Sequence, residues 1–90
     1  MNAKLICYTL KQKSHKERSK LKRELFGYTD KSNKGEYIYE RMGLLQKIPN
    51  LKPIRSVIIT KTEDSQKLIK VLKNFRAKIY IFDVILKKEL

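Results

Sequence analysis

The stretch AKIYIFDVIL, from Ala77 to Leu86, constrains the fold more than any other part of the chain. Its β-branched and aromatic residues predict a strand with Tyr80, Phe82, Val84 and Leu86 on one side and Ile79, Ile81 and Ile85 on the other. Only one of these apolar rows can pack beneath helices supplied by the same domain. The other row implies cover from a second subunit, the carboxyl-terminal segment or a ligand. Asp83, a lone acid inside this strand, calls for a lysine or arginine on a neighbouring strand, with a metal as the alternative partner.

The rest of the chain offers the partners of such a strand. AKLICYTL, from Ala3 to Leu10, is apolar on both faces and predicts an inner strand. Ser14 followed by Glu17 forms a capping-box signature, and Gly27 offers a left-handed stop, so a helix is expected over Ser14 to Phe26. At about 100° per residue its Leu21 and Leu25 share a narrow apolar face with Ser14 and Arg18, and Lys16, Lys20 and Arg23 lie opposite. YTDKSNKGE then reads as a basic loop, and EYIYERM alternates as a second strand with Tyr37, Tyr39 and Arg41 on one face and Ile38, Glu40 and Met42 on the other.

GLLQKIPNLKP carries Pro49 and Pro53 and reads as a connection with one helical turn near Leu44 to Lys47. Ile54 to Lys61 predicts a third strand. A second helix is expected from near Thr62 to Phe75, with Glu63 and Asp64 at its positive end. Leu68, Val71, Leu72 and Phe75 form its apolar face, and Lys67, Lys70 and Lys73 lie on the other side. The sequence order β-α-β-β-α-β is that of the ferredoxin-like split βαβ class, α+β, with a four-stranded antiparallel sheet and two helices on one face. At 90 residues, one domain over 1–90 is expected.

Charge narrows the partners. The chain has 22 Lys and Arg against 9 Asp and Glu, a formal net charge of +13. Such a field attracts polyanions. No apolar run approaches the roughly 20 residues that span a bilayer. The Met1–Cys7 segment has no secretory core followed by a cleavage site, so a soluble cytoplasmic protein with no membrane partner is expected. The single Cys7 excludes an internal disulfide and reads as a small hydrophobe in a strand.

The candidate site is a nucleic-acid-binding surface made of Lys16, Lys20, Arg23, Lys31, Lys34, Tyr37, Tyr39 and Arg41. Between Lys11 and Lys34 positive residues outnumber negative ones 9 to 3. The helix cations are spaced to track a phosphate backbone, and the loop lysines to close over it. Tyr37 and Tyr39 serve either as a base-stacking platform or as structural packing in a core or dimer interface. Arg41 beside them can grip a phosphate or stack on a base. The loop from Gly27 to Gly35 does not match the phosphate-binding P-loop pattern.

Tyr37 and Tyr39 in KGEYIYERM resemble the sheet aromatics on which RNA-recognition-motif domains stack bases, which implies contacts to single-stranded RNA. The length and order of elements are also similar to those of the small CRISPR-associated ferredoxin-like nucleases that pair as dimers on nucleic acid. That family's first strand typically ends in an aspartate. Here the corresponding ICYTLKQ has Tyr8 and Thr9.

The expectation is a small basic nucleic-acid-binding protein needing no cofactor, with RNA favoured over DNA because no helix-turn-helix, zinc-finger or basic-zipper pattern offers a major-groove reader. One alternative is a structural subunit of a ribonucleoprotein or a homodimeric adaptor, paired through the open sheet face. The other is a small nuclease using Asp83 or His15, for which one histidine and no second carboxylate at a shared spacing give thin support.

Overall fold

The computed structural model describes residues 1–10, 14–32 and 37–90, and Lys34 lies outside them. In chain order the elements are β1 (Asn2–Thr9), α1 (His15–Phe26), β2 (Tyr28–Ser32), β3 (Tyr37–Arg41), α2 (Leu44–Lys47), β4 (Asn50–Ile54), β5 (Val57–Lys61), α3 (Thr62–Asn74) and β6 (Lys78–Ile85). The fold is mixed α+β. A four-stranded antiparallel sheet runs β4-β5-β1-β6, and β2 pairs with β3 in a separate antiparallel hairpin. Among the described residues no helix is long and apolar enough to cross a membrane.

β1 is central, as its two apolar faces require. Ile6 faces Ile58 of β5 on one side and Ile81 of β6 on the other. Ile6 and Ile58 are fully buried in one cluster with Leu21 and Leu25 of α1 and Leu68 and Leu72 of α3, so both long helices cover the same sheet face. Each such aliphatic side chain contributes about 1.5–3 kcal/mol on burial. Met1 and Leu86 extend the β1–β6 pairing by one step, with Leu86 N–H donating to the Met1 carbonyl at 2.8 Å and the amino terminus donating back to the Leu86 carbonyl at 2.7 Å.

The opposite face carries the row Leu51, Ile59, Leu5 and Phe82, one residue from each strand, and beside it Val57, Cys7 and Tyr80. Tyr80 and Phe82 are 50% and 54% exposed. The two rows read from the β6 sequence therefore separate as expected. Ile79 packs against the core beneath the helices, and Tyr80 and Phe82 are on the uncovered side. Cys7 is half-buried on that side. Asp83 has the lysine partner expected for it: it stands directly opposite Lys4 on β1 and the two form an ion pair.

Both long helices start and stop where their end signals lie. Ser14 caps α1 by accepting from the Glu17 N–H at 3.2 Å, and Gly27 ends it at φ 77°. α3 ends at Phe75 with Arg76 in the left-handed region at φ 55°, where its N–H donates to the Lys73 carbonyl and Ala77 N–H donates to the Leu72 carbonyl. This paired closure is the Schellman arrangement. Its position usually belongs to glycine.

Three expectations change. The stretch between Gly27 and Gly35 is not all loop, because Tyr28–Ser32 forms β2. Its residues are too polar to show an inward face, and the hairpin they join has none to show. The strand from Tyr37 to Arg41 exists but is not part of the main sheet. The third strand breaks at Arg55–Ser56 into β4 and β5, so the proline-bearing connection holds a strand as well as the expected turn of helix at α2. β4 tolerates Pro53 because it is an edge strand, and its register is irregular between Leu51 and Ile54. The expected six-element plan thus lacks the hairpin and α2.

Candidate functional site

α1 presents its cations on a solvated face. Lys16, Lys20 and Arg23 are exposed and, with His15 and Ser19, border one shallow groove along the helix. Glu17 in the first turn and Arg23 in the last complement the helix dipole, so the charges run from mixed to positive toward the carboxyl end. That end is where the hairpin begins.

Two glycines hold the hairpin against α1. A Cβ on Gly27 would lie 2.2 Å from the Arg41 carbonyl oxygen, and one on Gly43 would lie 2.3 Å from the Gly27 nitrogen and 2.5 Å from the Leu25 carbonyl. Only bare backbone fits this crossing. The Gly43 N–H also donates to Gln46 Oε1 at 2.8 Å, and Gln46 N–H donates to the Gly43 carbonyl at 3.2 Å, which fixes the exit of β3 at the start of α2.

The crossing sets the last turn of α1 beside the first residue of β2. The guanidinium of Arg23 lies over the Tyr28 ring at 4.9 Å, and that of Arg41 lies over the Tyr39 ring at 5.9 Å. Tyr28 stands opposite Arg41, and Asp30 opposite Tyr39, so these four share one hairpin face. Arg41 also makes an ion pair with Asp30 at 3.7 Å. Both groups are well exposed, so the pair contributes about 1 kcal/mol or less and a phosphate can compete for the guanidinium.

Tyr39 is 49% exposed on this face and Ile38 64% exposed on the other, so the hairpin is solvated on both sides. Tyr39 is therefore not a core residue. Tyr37 occupies the first position of β3, opposite Ser32. Lys31 stands opposite Ile38, on the hairpin face away from Tyr39 and Arg41. Of the residues read from the sequence, the structure brings Lys16, Lys20, Arg23, Tyr39 and Arg41 into one surface, leaves Lys31 on the reverse, and adds Tyr28.

A second basic feature was not read from the sequence. A cleft of about 510 Å³ opens between α1, the end of β1 and the β4–β5 turn. Arg18 and Lys22 line it from the helix, and Lys52 and Arg55 line it from the opposite wall. Tyr8 and Ser56 are at its edge. The Tyr8 N–H donates to the Ser56 carbonyl at 3.0 Å, and a side-chain hydrogen bond also joins the two residues. Burial raises the Tyr8 phenol above its usual pKa, and the Ser56 hydrogen bond partly offsets this, so the group stays neutral and able to donate near pH 7. Phe26 also lines the cleft, with the Lys52 ammonium over its ring at 5.4 Å.

The i, i+4 spacing of Arg18 and Lys22 was legible. Their meeting with Lys52 and Arg55 was not, because it depends on the β4 strand hidden in the connection. Among the described residues no three His, Cys, Asp or Glu side chains come together as a metal site, and His15 stands on the exposed first turn of α1. Compared with models of protein families, with curated proteins and with solved structures, the chain gives no match.

Proposed function

We propose that this protein binds nucleic acid, RNA in preference to DNA, chiefly through phosphate contacts. The observation that carries the reading is the junction of α1 and the hairpin, where the row Lys16, Lys20 and Arg23 runs directly into two exposed tyrosines, each with an arginine over its ring. Lysines along the helix track the backbone, and Tyr28 and Tyr39 offer faces on which unpaired bases stack. Arg41 exchanges Asp30 for a phosphate. Lys31 and Lys34, flanking the tip of the hairpin, contact the strand as it leaves.

We read the architecture as ferredoxin-like with a hairpin and α2 inserted. Setting those aside, β1, α1, β4, β5, α3 and β6 follow the β-α-β-β-α-β order, and the sheet order β6-β1-β5-β4 supports the reading. A single cysteine without a disulfide partner suits a reducing, cytoplasmic setting.

The test is fluorescence anisotropy against single-stranded RNA, structured RNA, and single- and double-stranded DNA of equal length, each over a salt series. Tightest binding to single-stranded RNA, weakening steeply with salt, is the expected result. Preference for duplex DNA would instead mean that the two-stranded hairpin enters a major groove. Weak, equal binding to all four would reject the reading.

A second reading rests on Leu51, Tyr80 and Phe82, exposed on the face away from the helices. There the protein is a homodimeric or ribonucleoprotein subunit paired through that face, and sedimentation that depends on concentration supports it.

A further inference from the structure

The cleft between α1 and the β4–β5 turn is distinct from the helix stripe. At about 100° per residue, Arg18 and Lys22 lie on the flank of α1 well away from Lys16, Lys20 and Arg23. Four cations, two from each wall, converge there with no carboxylate among the lining residues. Gathering like charges around a concavity is unfavourable in the free protein and favourable once an anion enters. The remaining lining suits an esterified phosphate: the Tyr8 and Ser56 side chains supply hydrogen-bonding groups, and Phe26 offers a ring beside them. The volume lies within the range of small-ligand sites.

An internal phosphodiester carries one negative charge and continues in both directions, whereas a phosphomonoester carries about 1.5 to 2 charges at pH 7 and ends the chain. Cations facing each other across a cleft suit the second better. We propose that this cleft holds the terminal phosphomonoester of the bound nucleic acid, with Arg18 and Arg55 as the paired guanidinium donors and Lys22 and Lys52 as flanking charges. The proposal rests on the nucleic-acid reading above.

The test compares two single-stranded RNAs of one sequence, one with a 5′-phosphate or a 3′-phosphate and one with hydroxyl ends, by competition anisotropy. AMP and inorganic phosphate are titrated separately. Expected is tighter binding of one phosphorylated RNA by about tenfold, the scale of one added charge-assisted hydrogen bond. In the Lys52→Gln, Arg55→Gln double variant, checked for a native melting transition, the preference should disappear.

Equal binding of phosphorylated and hydroxyl-ended RNA by the wild-type protein, with salt dependence intact, overturns the cleft assignment and leaves the nucleic-acid reading standing. Failure of every RNA to bind overturns both. Binding of AMP or phosphate without RNA assigns the cleft to a small phosphorylated ligand and overturns the strand-end proposal. A phosphate preference that survives in the double variant also overturns it. Should the double variant not fold, the wild-type comparison decides.

Discussion

The guanidinium of Arg23, in the last turn of α1, lies 4.9 Å from the centre of the Tyr28 ring at the first position of β2. The contact links the two parts of the candidate surface, because it places an exposed aromatic face at the end of a row of cations. An exposed pair of this kind contributes only about 0.5–1 kcal/mol to stability. Its larger consequence is geometric.

Replacing Tyr28 separates the two roles. Tyr28→Ala should weaken single-stranded RNA binding by about 1–3 kcal/mol if a base stacks there. Tyr28→Phe keeps the ring and should bind within about twofold of the wild type, a margin worth about 0.4 kcal/mol. Equal losses in both variants, measured by anisotropy, would show that the hydroxyl matters and the ring face does not.

Gly43→Ala should destabilise the protein by roughly 2 kcal/mol or more, because the added methyl meets the Gly27 nitrogen and the Leu25 carbonyl, both backbone. Urea unfolding measures the loss. RNA affinity should also fall although no charge has changed, since the hairpin can no longer seat against α1. A variant as stable and as tight-binding as the wild type would show that the close glycine crossing is dispensable.

Arg76→Gly should stabilise the fold by about 0.5–1 kcal/mol, relieving a left-handed arginine at the Schellman position of α3. For a chain of this length that is a rise of about 2–8 °C in Tm. Calorimetry showing a lower Tm would mean that the arginine side chain makes contacts worth more than its backbone strain.

Thr60→Val addresses the core. The Thr60 hydroxyl is buried and has no hydrogen-bond partner among the described residues, so it carries a desolvation cost with nothing to offset it. Exchange for a methyl of the same shape should raise stability by about 1 kcal/mol in urea unfolding. A loss would indicate that a water satisfies the hydroxyl.

Periodicity made the main sheet and long helices legible. Ile6, Leu21, Leu68 and Leu72 occupy one-sided apolar patterns, and those patterns correspond to burial. The β2–β3 hairpin gave half its signal: Tyr37 to Arg41 alternates, whereas Tyr28 to Ser32 is polar on both faces because both faces meet water. β4 was hidden by Pro53, a residue that argues against a strand except at an edge. Lys16, Lys20 and Arg23 could be assigned to one face from spacing alone. The role of Tyr28 and the convergence of Arg18, Lys22, Lys52 and Arg55 depend on a backbone crossing and an edge strand, neither of which leaves a periodic trace.

The most direct test of the central claim is the salt dependence of single-stranded RNA binding by the wild type and by the Lys16→Gln, Lys20→Gln, Arg23→Gln triple variant. Each phosphate contact on a single strand contributes about 0.7 to the slope of log affinity against log salt. The account predicts that the slope of the triple variant is shallower by about 2, with melting unchanged within about 0.5 kcal/mol because all three side chains are exposed. An unchanged slope would contradict it and remove α1 from the interface.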